Sequence, residues 1–247
     1  MAMACDDDGE DDVMMRTRLT RRAGAVLATV ASMGALALVP ASGTAGAAPA
    51  GGAADTVAGA RVPLRDAIGA LRVAEEDRSG YRREAFRHWV DADKDGCTTR
   101  AEVLIEEAVV PPTVGAKCAL TGGSWYSYYD DAYLDAAGGL DIDHMVPLAE
   151  AWDSGASQWT AEQREGYAND IDQPRALVAV TAKHNRSKAD QDPGTWLPPY
   201  APSHCAYLTD WVTVKTEYDL AVDEREQAEL TRLGAQCPNV PVPASVR

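Results

Sequence analysis

An acidic residue stands immediately before a histidine in the segment Asp141–Pro147, and an amide follows about forty residues later at Asn185. If Asp143 and His144 lie near a strand end, their side chains point to opposite sides of the backbone. The carboxylate can then hold a metal ion while the imidazole faces a water molecule. Carboxylate, amide and phosphate oxygens together suit Mg²⁺. This pattern therefore predicts a one-metal site that hydrolyses phosphodiester bonds.

Three elements must position these side chains. Residues 142–146 have the composition of a short strand, and the apolar run at 176–180 predicts a second one. The polar segment after Thr181 contains helix formers and ends at Pro193, so it predicts a helix that begins near Asn185. Together they predict two strands and a helix around one cation, at about residues 141–190.

The flanking regions predict more helices and one hairpin. Apolar spacing over 62–90 indicates two helices or one broken helix, and 101–110 indicates a helix stopped by two prolines. The alternating residues at 125–129 indicate a hairpin strand. Residues 148–152 and 206–233 are predicted to be helical, and Thr160 to Gln163 form a capping box that opens a helix to about Ala168. The whole predicts an α+β fold, a single domain over 61–240.

The first 47 residues have the pattern of a secretory signal peptide, which would be removed before folding. A basic stretch precedes an apolar run at 23–39, and Ala45-Gly46-Ala47 suits cleavage. The acidic prefix at 5–12 conflicts with such a signal, so we expect translation to begin at Met14 or Met15. A membrane anchor is the alternative, but the run is short and rich in Ala and Gly. Residues 48–60 are predicted to be a disordered linker.

Cysteine count and spacing favour disulfides in a secreted, extracellular protein. Four cysteines follow the signal, and no pair has the short Cys-x-x-Cys spacing of a zinc clip. Sequence order suggests Cys97 with Cys118 and Cys205 with Cys237, although four cysteines allow three pairings.

The charge of the chain restricts how it could bind nucleic acid. The net charge is −15, and −13 remains without the first 47 residues, which hold six acids and four bases. Binding that coats nucleic acid depends on the number of phosphates neutralised. A nuclease of this charge must therefore use its metal and a local basic patch. We expect a monomer that has no membrane contact once the signal is removed.

The segments DIDHMVPLAEAW and VAVTAKHNRSKADQDPGTWLPP resemble the HNH, or His-Me finger, endonucleases. The resemblance is greatest to small secreted bacterial HNH proteins related to the C-terminal domain of GmrSD-type restriction enzymes. It covers about 60 central residues strongly and most of the mature chain more loosely. It implies a ββα-metal core surrounded by helices and stapled by disulfides.

Carried over by position, the resemblance implies that His144 is the general base and that Asp143 and Asn185 are metal ligands. It makes Arg186 and Lys188 phosphate-binding or structural residues. The metal would be Mg²⁺, with Mn²⁺ or Zn²⁺ as alternatives. The products would carry 5′-phosphate and 3′-hydroxyl ends, and activity should fall in acid as the imidazole is protonated.

One family feature is missing. The middle asparagine of the HNH motif, which braces the loop of the catalytic histidine, would fall near Ala176, and the nearest asparagine is Asn169. The other histidines are given no catalytic role. His184 should be exposed because it points about 100° away from Asn185 on a helix, and His88 and His204 are interpreted as structural.

The segment 91–102 fits the spacing of a calcium-binding loop, with a glycine at the sixth place and an acid at the twelfth. Thr98 replaces the usual isoleucine, and Cys97 is a predicted disulfide partner, so the loop could instead serve rigidity. The ligands would come from Asp91, Asp93, Asp95, Cys97, Thr99 and Glu102.

The sequence predicts an endonuclease that cuts DNA outside the cytoplasm with one divalent metal and His144 as base. One alternative is a non-catalytic, calcium-stabilised secreted binding module. The other is an HNH nuclease that acts on RNA or modified DNA, because contacts to the backbone carry little base identity.

Overall fold

The computed structural model describes residues 60–244. The predicted signal peptide at 1–47, the start at Met14 or Met15 and nearly all of the linker at 48–60 lie outside the described residues. No helix within 60–244 is long and apolar enough to span a membrane.

The described residues form a mixed α+β domain, as predicted. The helices are α1 (Leu64–Ala70), α2 (Thr99–Glu106), α3 (Leu148–Asp153), α4 (Ala161–Ala168), α5 (Ala182–Lys188), α6 (His204–Glu217) and α7 (Glu224–Gly234). The strands are β1 (Arg61–Pro63), β2 (Thr113–Val114), β3 (Leu120–Thr121), β4 (Trp125–Ser127), β5 (Ala132–Leu134), β6 (Leu140–His144), β7 (Leu177–Thr181) and β8 (Pro241–Pro243).

The strands pair as small antiparallel sheets of two: β1 with β8, β2 with β3, β4 with β5, and β6 with β7. The β6–β7 ladder is the longest and runs in register from Leu140 opposite Thr181 to His144 opposite Leu177. Helix α5 begins directly after β7 and packs on both strands. The chain therefore forms a strand, strand and helix unit in the predicted segment.

The β6–β7 pair lies between two hydrophobic cores. Leu140 and Ile142 pack with α2 residues in the smaller core, whereas Val178 and Val180 belong to the larger core around α6. Because successive side chains of a strand point to opposite faces, a strand between two cores is apolar at every position. This explains the continuous apolar run of β7.

Several predicted elements are confirmed with small shifts. The hairpin of β4 and β5, the helical turn α3 and the capping box of α4 are present, with Thr160 and Gln163 bonded reciprocally. Helix α2 ends at Glu106, short of the predicted Val110, because the following backbone pairs with Ser124. Helix α5 ends at Lys188 and not near Pro193, because Ala189 has φ 49°.

The prediction of a second helix before residue 90 is wrong. After α1, the helical content of residues 71–90 is a short 3-10 turn at Arg83–Ala85, and Val73 forms an isolated β-bridge with Val222. Phe86 is fully buried, and Trp89 has φ 59°, a left-handed conformation that a right-handed α-helix cannot contain. The helical spacing of the aromatic residues here reflects contacts with the core, not a helix.

The disulfides are Cys97–Cys118 and Cys205–Cys237, so the pairing suggested by sequence order is confirmed. The second bond joins the start of α6 to the chain just after α7 and closes a separation of 32 residues. The antiparallel packing of these helices is thereby linked covalently.

Replacing both Cys205 and Cys237 by Ala should lower the free energy of unfolding by about 3–4 kcal/mol, because a loop of this length regains its entropy in the unfolded chain. Urea denaturation measures the change. The matched control, Cys97→Ala with Cys118→Ala, opens a separation of 21 residues and should cost slightly less. A decrease in the free energy of unfolding below about 1 kcal/mol would show that the Cys205–Cys237 bond does not stabilise the fold by restricting the unfolded chain.

Candidate active site

Strand β6 distributes the polar residues of the site between its two faces. Asp141 and Asp143 lie two residues apart and pair with Val180 and Val178 of β7, so these four side chains share one face of the sheet. His144 belongs to the other face. Asp143 is 5% and His144 6% exposed. The carboxylate and the imidazole therefore leave the strand on opposite sides, as expected from their sequence order.

A hydrogen bond determines the tautomer of His144. Its Nε2 lies 3.0 Å from the carbonyl oxygen of Ala168, the last residue of α4. A carbonyl only accepts, so Nε2 carries the proton and donates it. In the neutral ring the unprotonated nitrogen is then Nδ1, which is the atom able to take a proton from water.

Aromatic rings enclose the imidazole of His144. The ring of Trp89 lies 5.2 Å from it, and those of His88 and Tyr167 each lie 6.4 Å away, between centroids. Burial lowers the pKa of His144 to about 3, and the positive charge of Arg83 acts in the same direction. From the sequence we expected His144 to have an ordinary histidine pKa near 6.5. In this environment the neutral base persists well into the acid range.

Asp143 is half of a buried ion pair. Its Oδ2 accepts hydrogen bonds from Lys188 Nζ at 2.5 Å and from the hydroxyl of Tyr129 at 2.5 Å. Lys188 is fully buried and also donates to the carbonyl oxygens of His144 and Met145, at 3.0 and 2.8 Å. Of its two anticipated roles, phosphate contact or structure, the geometry of Lys188 corresponds to the structural one.

Burial acts on both members of this pair. Removal from water raises the pKa of the Asp143 carboxyl and lowers the pKa of the Lys188 ammonium, while their mutual attraction opposes both shifts. The three oxygen acceptors around Nζ keep the ammonium solvated by protein groups. The pair fastens α5 to β6.

Asn185 lies on the same side of the β6–β7 pair, beside an acid that the sequence analysis did not select. Its Nδ2 is 3.4 Å from Asp141 Oδ2, and Arg186 Nε is 3.2 Å from the same oxygen. The Arg186 side chain is 74% exposed. The spacing of Asp141 and Asp143 was the available signal, because residues two apart on a strand share a face.

Asn169 organises the surroundings of the histidine. It follows Ala168 directly, and its Nδ2 donates to the carbonyl oxygens of Arg87 and Glu165, each at 2.7 Å. Its Oδ1 accepts from the amide of Val90 and from the Thr99 hydroxyl. Asn169 thus ties the segment that carries Trp89 to the helix end that holds His144.

The remaining histidines have local partners. His184 is not exposed as expected: its side chain is 17% exposed, and its Nε2 lies 3.5 Å from Asp130 Oδ2. His88 and His204 each bond a backbone carbonyl oxygen, of Phe86 at 2.9 Å and of Pro198 at 2.8 Å.

The acidic loop at 91–102 follows the segment that carries Trp89 and contacts Asn169 through Thr99. Carboxylate oxygens of Asp91, Asp93 and Asp95 approach within 4.8 Å of one another. Gly96 has φ 97°, which suits the turn at the sixth place. The Thr99 hydroxyl bonds Val90 and Asn169 instead of turning into the loop.

The chain is similar to one family of known domains and to one secreted protein. Residues 115–233 match the family model of the GmrSD restriction endonucleases, C-terminal domain. An uncharacterized secreted protein of Arthroderma benhamiae is 43% identical over 160 residues, which cover 65% of this chain and 77% of that protein. No solved structure matches.

The chain belongs to one family with this secreted relative, and its residues 115–233 are related to the GmrSD C-terminal domain. The relation indicates a nuclease-related function. The matched residues include β6, β7 and α5 with the candidate site, whereas the loop at 91–102 precedes them.

Replacing Lys188 by Met should lower the free energy of unfolding by about 3–5 kcal/mol, because Asp143 would be left as an unpaired buried acid. Chemical denaturation monitored by tryptophan fluorescence measures the change. The control is Lys183→Met on the same helix, where the lysine is exposed and the change should stay within about 0.5 kcal/mol. Equal stability of the two variants would refute the structural role of Lys188.

Proposed function

We propose that the protein is a secreted endonuclease that hydrolyses phosphodiester bonds of DNA, with His144 as general base. The observation that carries the proposal is the hydrogen bond from His144 Nε2 to the Ala168 carbonyl oxygen, which leaves Nδ1 unprotonated. A neutral imidazole in a defined tautomer is what a general base requires. The match to a restriction-endonuclease domain and the secreted relative support this reading.

The residues around β6 and α5 fit a hard divalent cation such as Mg²⁺. Within the described part of the chain, both hydrogen bonds to the Asp143 carboxylate reach Oδ2, so Oδ1 remains for a cation. The bond from Asn185 Nδ2 to Asp141 likewise leaves the Asn185 carbonyl oxygen available. Asp143 and Asn185 would hold the metal, with Asp141 beside them, in an all-oxygen environment.

When bound, the metal stabilises negative charge that develops on the phosphate oxygens. His144 Nδ1 takes the proton from the attacking water, and the Ala168 carbonyl stabilises the resulting imidazolium through Nε2. Trp89 and Tyr167 restrict rotation of the ring and limit access of bulk water. The products carry 5′-phosphate and 3′-hydroxyl ends.

Replacing His144 by Ala should reduce plasmid nicking with Mg²⁺ by about 10²–10⁴-fold, since that is the usual contribution of a general base. Relaxation of supercoiled plasmid measures the rate, and EDTA should abolish it. His204→Ala is the matched control, because that ring also bonds a backbone carbonyl oxygen but lies outside the proposed mechanism.

Denaturation midpoints of both variants establish that loss of activity is not loss of folding.

Asn185→Ala should raise the Mg²⁺ concentration needed for half-maximal nicking, because one metal ligand is lost. Equal nicking by parent and His144→Ala would defeat the enzyme proposal and favour a non-catalytic binding module. Faster cleavage of RNA or modified plasmid than of matched plain plasmid would reassign the substrate.

Calcium binding by the loop at 91–102 stays a separate prediction. Glu102 lies in the first turn of α2, and burial together with the three aspartates raises its pKa. A cation would relieve this accumulation of negative charge. Added Ca²⁺ at 100 times its Kd should stabilise the fold by about 2.7 kcal/mol, which raises Tm by roughly 5–10 °C.

Thermal unfolding with and without millimolar Ca²⁺ tests the loop. Asp93→Asn with Asp95→Asn should abolish the shift, whereas Asp135→Asn, an exposed acid elsewhere, should leave it intact. An unchanged Tm of the parent in Ca²⁺ would assign the loop to rigidity alone.

A further inference from the structure

Residues 82–89, here called the arginine segment, concentrate positive charge in an acidic protein. Three of the eight residues are arginines, Arg82, Arg83 and Arg87, and all three are exposed. The segment contains one acid, Glu84, while the chain as a whole has a net charge of −15. An acidic nuclease needs a local concentration of positive charge of this kind to attract phosphates.

The backbone of the arginine segment is held firmly. Phe86 is fully buried, and Arg164 Nε donates to the carbonyl oxygen of Ala85 at 3.1 Å. Asn169 binds the carbonyl oxygen of Arg87 and the amide of Val90. The arginine side chains therefore extend from a fixed backbone, which lowers the entropy lost when they bind a ligand.

The arginine segment ends against the proposed base. Trp89 and His88 lie 5.2 and 6.4 Å from the His144 ring, between centroids. Trp89 has φ 59°, a left-handed conformation that costs on the order of 1–3 kcal/mol for a bulky residue and that the surrounding contacts must hold. Trp89 thus places the end of the arginine segment against the His144 ring.

The charges of the arginine segment remain available to a ligand. The Arg87 side chain is 74% exposed, and its contact with Glu165 is 3.3 Å long at the surface. Exposed ion pairs of this kind are worth about 0–1 kcal/mol. A phosphate, which accepts two parallel hydrogen bonds from a guanidinium, competes well with such a partner.

We propose that the arginine segment binds the sugar-phosphate backbone of the nucleic-acid substrate beside the phosphodiester bond that is cleaved at His144. The assignment rests on the proposed function and adds to it the surface that receives the strand. Guanidinium groups suit phosphates because of their planar, bidentate geometry. The binding carries no base specificity, since phosphates are common to all sequences.

Equilibrium binding to a fluorescein-labelled 20-base-pair DNA, measured by anisotropy in EDTA, tests this surface independently of cleavage. The test variant is Arg82→Gln, Arg83→Gln and Arg87→Gln. The control variant, Arg61→Gln, Lys117→Gln and Arg232→Gln, removes the same charge from exposed residues outside the arginine segment. A charge-preserving variant carries Lys at positions 82, 83 and 87.

The test variant should bind roughly tenfold or more weakly than the control, and its slope of log Kobs against log salt should fall by about 0.9 per lost contact. The lysine variant should keep most of the parent slope. Equal affinities and slopes of test and control variants would overturn the assignment, as would a parent that binds no DNA at low salt. If binding follows the prediction while His144→Ala nicks normally, only the proposed enzymatic function fails.

Discussion

The buried pair of Lys188 and Asp143 is the interaction on which the candidate site depends. A fully buried ammonium is tolerated only when its hydrogen-bonding capacity is met, and here one carboxylate and two backbone carbonyls meet it. Because the carbonyls belong to His144 and Met145, Lys188 positions the end of β6 as well as α5. Asn185, one turn earlier on the same helix, is thereby held against Asp141.

The two faces of β6 give its polar residues different environments. Asp143 points into the larger core, where Tyr129 and Lys188 satisfy one carboxylate oxygen. His144 points to the opposite side, where a carbonyl and three rings surround it. The acid and the base are therefore separated by the backbone, so the His144 imidazole does not form an ion pair with the Asp143 carboxylate.

The environment of His144 comes from parts of the chain that are distant in sequence. Ala168 and Tyr167 end α4, and Trp89 belongs to an irregular segment before α2. Asn169 connects them, because one side chain bonds both regions. It lies outside the strand pair where the HNH motif would place its middle asparagine, and it acts on the surroundings of the histidine, not on the strand that carries it.

Predictions from the sequence succeeded where a local rule decides the structure. The capping box of Thr160 and Gln163 satisfies the helix end from within four residues. The apolar run of β7 predicts a buried strand, and the cysteine order gave the observed pairing. Predictions failed for residues 71–90, because the spacing of Phe86 and Trp89 follows contacts with distant rings and not the period of a helix.

The sequence by itself determined the α+β class, the strand, strand and helix order and the residue types of the site, and it suggested a disulfide pairing among three that it left open. Only the tertiary structure decided that Lys188 is buried and not free for phosphate, that Asp141 adjoins Asn185, and that Nδ1 is the free nitrogen of His144. The physical reason is that backbone periodicity is local, whereas burial and hydrogen-bond partners depend on which distant segments meet.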